Sequence, residues 1–237
     1  MFPNEKGIFS LSNGWNNVVS DMVKLHDIMV EKYPGVKYIM FGHSMGSFLT
    51  RTYIIDYPDK YDLAILSGTG HMGAAMLTGG ALLADVFTLL QGAETTGKKL
   101  EAVAFGSYLK KIENPRTPYD WLTTVDSVVD KYIEDENCGF TCTNSLYKDM
   151  MHGLKYITNG KNIKKMSPEK PVYFMSGKED PVGGYGDQVD TAYKAFCKAG
   201  LKDVSMKLYE GGRHEMLNES NKSQVMNDIL NWIESKI

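Results

Sequence analysis

The sequence predicts an α/β fold: a mostly parallel sheet with helices on both faces and a helical insertion. Three observations predict it. Short apolar, β-prone runs alternate with stretches of helical spacing at both ends of the chain. The runs at residues 36–41, 63–66 and 171–177 are short and apolar, as strands buried in a parallel sheet are. Between residues 71 and 168 this rhythm stops, and only helix-like segments and loops follow one another.

Taken in order, residues 13–33 carry Trp15, Val18, Val19, Met22, His26, Met29, Val30 and Tyr33 on one helical stripe, which Pro34-Gly35 ends. A strand through residues 36–41 runs into Gly42-His43-Ser44-Met45-Gly46. A helix through Tyr53, Ile54 and Ile55 follows and stops at Tyr57-Pro58. Residues 63–66 form the next strand, closed by Ser67-Gly68-Thr69-Gly70. Inside the insertion, helices are expected at 74–90, 98–112, 121–134 and 146–157; their methionines and aromatics suit packing or a substrate pocket. The α/β rhythm resumes with a strand at 171–177, a helix from about 187 to 198 and an alternating strand through Val204, Met206 and Leu208. The last helix carries Val225, Met226, Ile229, Leu230, Trp232 and Ile233. The chain therefore divides into a core of residues 1–70 and 169–237 and an insertion of residues 71–168.

Composition narrows the function. A net charge of −3 with mixed signs leaves no basic face for nucleic acid. The three cysteines, Cys138, Cys142 and Cys197, lack paired metal-ligand spacing and read as reduced thiols of a cytoplasmic protein. The opening residues show neither a basic region nor an apolar run of a secretory leader. Residues 72–93 are largely apolar, but they contain four glycines and Asp85. A carboxylate at mid-bilayer costs roughly 2.5–3.5 kcal/mol, which favours a lid or core helix over a span.

The chemistry gathers around Ser44. A G-x-S-x-G between a strand and a helix forms a nucleophile elbow, a strained turn that turns the serine hydroxyl away from the sheet. Gly42 and Gly46 are expected to let the strand and helix pass closely. A serine on an ordinary turn leaves the same five residues, so the later loops decide. Asp180 follows the strand at 171–177, and His214 follows the last strand, which places Ser44, Asp180 and His214 along one sheet edge. In that arrangement His214 takes the proton of Ser44, Asp180 orients the imidazole, and the backbone N–H of Met45 faces the oxyanion. Asp180 before Pro181 also suits a simple turn, and Glu179 is a neighbouring acid. His26 reads as packed, His43 as a buttress of the turn, His71 as a rim residue and His152 as part of an insertion helix.

These blocks resemble the α/β-hydrolase superfamily, and within it the lysophospholipase/monoacylglycerol lipase-like (serine aminopeptidase-type) group. The resemblance rests on Gly-His-Ser-Met-Gly at 42–46, Asp180-Pro181-Val182-Gly183 and Gly212-Arg213-His214-Glu215. Residues 114–122, 130–133 and 138–140 also resemble bacterial members. It implies an α/β-hydrolase fold with a helical cap. The implied activity is hydrolysis of a lipid-like carboxylic ester through an acyl-enzyme, with neither metal nor organic cofactor. The apolar stretch at 72–90 would allow transient contact of the cap with a membrane surface.

The sequence departs from that group before the elbow. Several strands and a His-Gly loop, donor of the second oxyanion N–H, normally precede it; here residues 1–35 read as a loop and one helix. The expectation is a fold lacking its N-terminal strands, with the elbow strand at a sheet edge. Such an edge favours self-association or a separate chain that supplies the missing strands. One lost oxyanion donor typically removes about 2.7–4 kcal/mol of transition-state stabilisation.

Overall fold

Four parallel strands in the order β1-β2-β3-β4 carry the molecule, and the loops with Ser44, Asp180 and His214 follow their carboxyl ends. They are β1 (Ile39–His43), β2 (Leu63–Ser67), β3 (Val172–Gly177) and β4 (Val204–Tyr209). The computed structural model describes residues 6–237; residues 1–5, on which the absence of a leader pattern was read, lie outside the described residues. The register is direct, Phe41 opposite Ile65, Ile65 opposite Tyr173, and Tyr173 opposite Ser205.

Strand alternation sorts the side chains into two layers. On one face, Ala64, Leu66, Val172 and Phe174 pack with α1 (Gly14–Lys32), α2 (Met45–Asp56) and α8 (Asp187–Ala199). On the other, Ile65, Tyr173 and Met175 meet Val225, Ile229 and Trp232 of α9 (Lys222–Glu234). Both faces are therefore covered, which is why β2 and β3 are buried throughout and mostly apolar. The bonds of Tyr38 and Ser44 point toward β2, so alternation turns the peptide groups of Ile39, Phe41 and His43 to the opposite edge. No strand covers that edge among the described residues, and Phe41 is exposed there. Residues 6–38 hold turns and α1 and no strand.

Between β2 and β3 stand α3 (Ala74–Gln91), α4 (Lys98–Phe105), α5 (Asp126–Glu134), α6 (Asn144–Thr158) and the short α7 (Gly160–Ile163). Two expected helices are shorter than their spacing predicted. The 98–112 helix ends at Phe105, and residues 106–112 form turns before Pro115. The 121–134 helix starts only at Asp126, because Leu122 and Thr123 give their carbonyls, and Thr124 its N–H, to a loop far along the chain. α3 is apolar on its exposed side as well as its buried one, and is not a core helix. Leu77, Ala81 and Ala84 are buried, and Asp85 pairs with His152 and Lys148 of α6. Among the described residues it is the helix long and apolar enough to cross a membrane, and only 17% of it is buried.

The glycines of the elbow do different work. A Cβ on Gly42 would lie 2.5 Å from the Gly46 carbonyl oxygen and 2.8 Å from Ser47 Cα, so β1 and α2 pass as closely as expected. At Gly46 the same atom would meet nothing within 4 Å, which corrects the expectation that both glycines serve this packing. Gly42→Ala is expected to cost about 3 kcal/mol, the upper end for overpacking against backbone. Gly46→Ala should stay within about 1 kcal/mol of the parent. Urea unfolding measures both.

Two half-buried histidines tie stability to pH. Burial, and then the charge of Arg51, draws His71 down to about 4; burial, and then His214, does the same to His43. An unfolded histidine titrates near pH 6.5. Between about pH 6.5 and 4 the unfolded chain thus binds more protons than the folded one, and stability falls as pH drops. The thermal midpoint should decline across that window, and less steeply in His71→Gln, as a calorimetric pH series will record.

Candidate active site

The strand-to-helix turn at Ser44 is strained and held from both sides. Ser44 has φ 54° and ψ −125°, a backbone conformation that costs a non-glycine residue of order 1–3 kcal/mol. Its N–H donates to the Ser67 carbonyl (2.9 Å), while its own carbonyl accepts from Ser47 N (2.9 Å) and Ser47 Oγ (2.6 Å). β2 and the first turn of α2 thus fix the serine where the sequence placed it. Met45 opens α2, so its N–H has no carbonyl within the helix to meet and finds no other partner among the described residues.

Asp180 and His214 are brought together by the loops after β3 and β4. Asp180 is fully buried and its two carboxylate oxygens lie 3.1 and 3.0 Å from His214 Nδ1. It also accepts from Val182 N–H and from the Ser176 hydroxyl, each at 2.9 Å. Burial alone would raise this carboxyl; the His214 charge and these hydrogen bonds outweigh it and hold the group below the usual carboxylate range. The bond to Val182 N–H is the turn-forming contact expected of an Asp-Pro, made by the same carboxylate. Glu179, the alternative acid, is exposed and gives only its backbone N–H, to Gly212.

Two close approaches allow the loops to meet. A Cβ on Gly177 would overlap the Gly212 carbonyl, and one on Gly68 would lie 2.8 Å from His214 Cε1. The end of β3 therefore meets the backbone of the loop carrying His214, and the loop after β2 lies directly against the imidazole ring. The Ser44 hydroxyl and His214 Nε2 are not hydrogen-bonded to each other in this structure; His43 links the two sites instead. Its ring packs at 4.6 Å from that of His214, and its Nδ1 lies 3.1 Å from Ser67 Oγ.

The other histidines serve the scaffold. His26 packs against Tyr38 and Tyr53. His71 meets Arg51, a fully buried cation on α2 that donates to the carbonyls of Gly70 and Ile157 and is itself drawn down to about 9 by burial. His152 is bonded to Asp85 on the far side of the insertion. Motif reading missed Trp121, whose ring lies 5.1 Å from His214, and the partners stacked on it, Phe105 and Tyr108. They form an aromatic wall at the imidazole, joined from two segments of the insertion. No spacing rule links these residues; Trp121 was visible only inside the stretch that resembled bacterial hydrolases.

Comparison with known proteins bears on the fold and the family. A monoacylglycerol lipase of Mycolicibacterium smegmatis is 24% identical over 225 residues, covering 92% of this chain and 70% of its own length. A thermostable carboxyl esterase from Bacillus coagulans superposes with a TM-score of 0.87 at 26% identity, over 94% of this chain and 72% of that one. A soluble variant of monoglyceride lipase from Saccharomyces cerevisiae, 17% identical with a TM-score of 0.69, covers 98% and 71% and shares the fold. Residues 4–221 match the serine aminopeptidase S33 family. The chain belongs to that family and is an α/β-hydrolase of the esterase and lipase type.

Proposed function

We propose that the chain hydrolyses carboxylic esters of lipid-like substrates, of the monoacylglycerol or lysophospholipid kind, through an acyl-enzyme on Ser44. The observation that carries this reading is the buried Asp180–His214 pair beside a serine held in a strained elbow. Ser44 is too weak an acid to attack unaided. His214 Nε2 takes its proton as Oγ bonds to the ester carbon, and Asp180 keeps the other nitrogen protonated and stabilises the imidazolium. The carbonyl oxygen becomes an oxyanion that the Met45 N–H faces. The tetrahedral adduct expels the alcohol, protonated by His214, and water repeats the sequence to release the acid.

An apolar acyl group suits the surroundings. Phe105, Tyr108 and Trp121 line the approach to His214, and α3 exposes Met76, Leu82, Leu89 and Leu90 on the side away from α6. With Val103 of α4 they make an apolar face of the kind that meets a lipid surface. The names of the M. smegmatis and B. coagulans relatives support ester substrates over aminoacyl amides. The edge of β1, which no strand covers among the described residues, favours a second reading, a chain that keeps the three residues yet turns over poorly until it self-associates or a further strand from another chain covers Phe41.

A fluorophosphonate probe is expected to label the purified chain and not Ser44→Ala. Loss of kcat should be on the order of a million-fold for Ser44→Ala and His214→Ala and roughly ten-thousand-fold for Asp180→Asn. Labelling that survives Ser44→Ala would overturn the assignment, and a chain that labels only after association would favour the second reading. Profiling short and long p-nitrophenyl esters against aminoacyl amides should show preference for long acyl esters. Leu89→Glu with Leu90→Glu should lower hydrolysis of monoacylglycerol in phosphatidylcholine vesicles more than tenfold while sparing a soluble short ester; equal effects on both would remove the lipid-surface role.

A further inference from the structure

The loop that carries His214 is fastened on its outer side to residues 120–124 of the insertion. Arg213 Nη1 donates to the carbonyls of Asp120 (2.6 Å) and Thr123 (3.0 Å), and Glu215 N–H donates to the Leu122 carbonyl (2.7 Å). Thr123 Oγ1 donates to the Asn218 carbonyl at 3.3 Å. Asp120 is itself fixed, since its carboxylate accepts from the N–H groups of Arg116 and Thr117. At the centre of this junction is Glu219, only 2% exposed. Its Oε1 accepts from Arg213 N–H (2.9 Å) and Thr124 N–H (3.0 Å), and its Oε2 from the Thr124 hydroxyl.

A buried carboxylate that accepts three bonds, one of them from the residue beside His214, is an expensive connector between two segments 95 residues apart. It touches neither Asp180 nor Ser44 by hydrogen bond. What it joins is the peptide bearing the imidazole and the peptide bearing Trp121, whose ring rests on that imidazole. We propose that Glu219 is a positioning residue for His214. It binds residues 120–124 and 213–219 into one body, so that the aromatic wall and the base keep a fixed relation during turnover. The inference deepens the reading of His214 as the general base and rests on it.

Removing the carboxylate takes away the acceptor that the N–H groups of Arg213 and Thr124 share, and with it the tie between the two segments, which lets the loop shift. A displacement near 1 Å at a reacting group lowers rate by about 100-fold. Glu219→Gln keeps an oxygen for both N–H groups and can place its amide against the Thr124 hydroxyl, which rotates to accept. The proposal therefore expects Glu219→Ala to lose about 100-fold in kcat on a short soluble ester, with KM changed less than threefold. Glu219→Gln should stay within threefold of the parent.

A second readout does not require turnover. The low-field proton resonance of His214 Nδ1–H, identified by its loss in His214→Gln, should weaken or exchange faster in Glu219→Ala and persist in Glu219→Gln. Should Glu219→Ala fail to fold, Arg213→Met takes its place under the same two criteria, because it removes the bonds to Asp120 and Thr123 alone. A folded Glu219→Ala, or Arg213→Met in its stead, with parental kcat or a parental proton resonance overturns the proposal. If the parent chain shows no Ser44-dependent probe labelling, the nucleophile assignment fails by itself, and the resonance still decides the role of Glu219.

Discussion

A carboxylate with no solvent exposure is tolerable only where hydrogen bonds and an opposite charge replace its water, and the sheet end is built around that requirement at Asp180. Three side-chain and backbone donors converge on it: the His214 ring, Val182 N–H and the Ser176 hydroxyl. Each comes from a different turn of chain, so satisfying Asp180 fixes the end of β3, the loop after it and the loop after β4 together. Gly177 and Gly68 make this possible by leaving out the Cβ atoms that would push the loops apart. The hydrogen bonds that stabilise the pair also orient the imidazole.

The helical segment between β2 and β3 is more than a cover. α3 buries one stripe against α6, turns Asp85 inward to His152 and Lys148, and leaves its leucines outside. Residues 120–124 give up helical bonding to bond the His214 loop instead. The same segment thus presents an apolar outer face and an aromatic inner wall, and it reaches the His214 loop through backbone hydrogen bonds as well as through packing.

Much of this was legible along the chain. The strands announced themselves because a parallel sheet buried on both faces demands short, mostly apolar runs, and every residue of β2 and β3 is buried. Ser44, Asp180 and His214 could be named because each follows a strand, and parallel strands put their following loops at one edge. The false extension of α5 arose where helical spacing ran across residues 122–124, whose backbone groups are claimed by the His214 loop, and that of α4 where the chain breaks into successive local turns. Gly46 was assigned a packing duty that Gly42 performs alone.

By itself, the sequence determined the order of elements, the elbow at Ser44 and the identity of the acid and base candidates, because these depend on local propensity and strand-end position. Only the tertiary structure decided that Asp180 rather than Glu179 meets the imidazole and that His43 stacks on it. It alone seated Trp121 against His214, and Glu219 between Arg213 and Thr124. Those contacts join residues tens of positions apart, and no periodicity along a chain encodes which buried donors will share one acceptor.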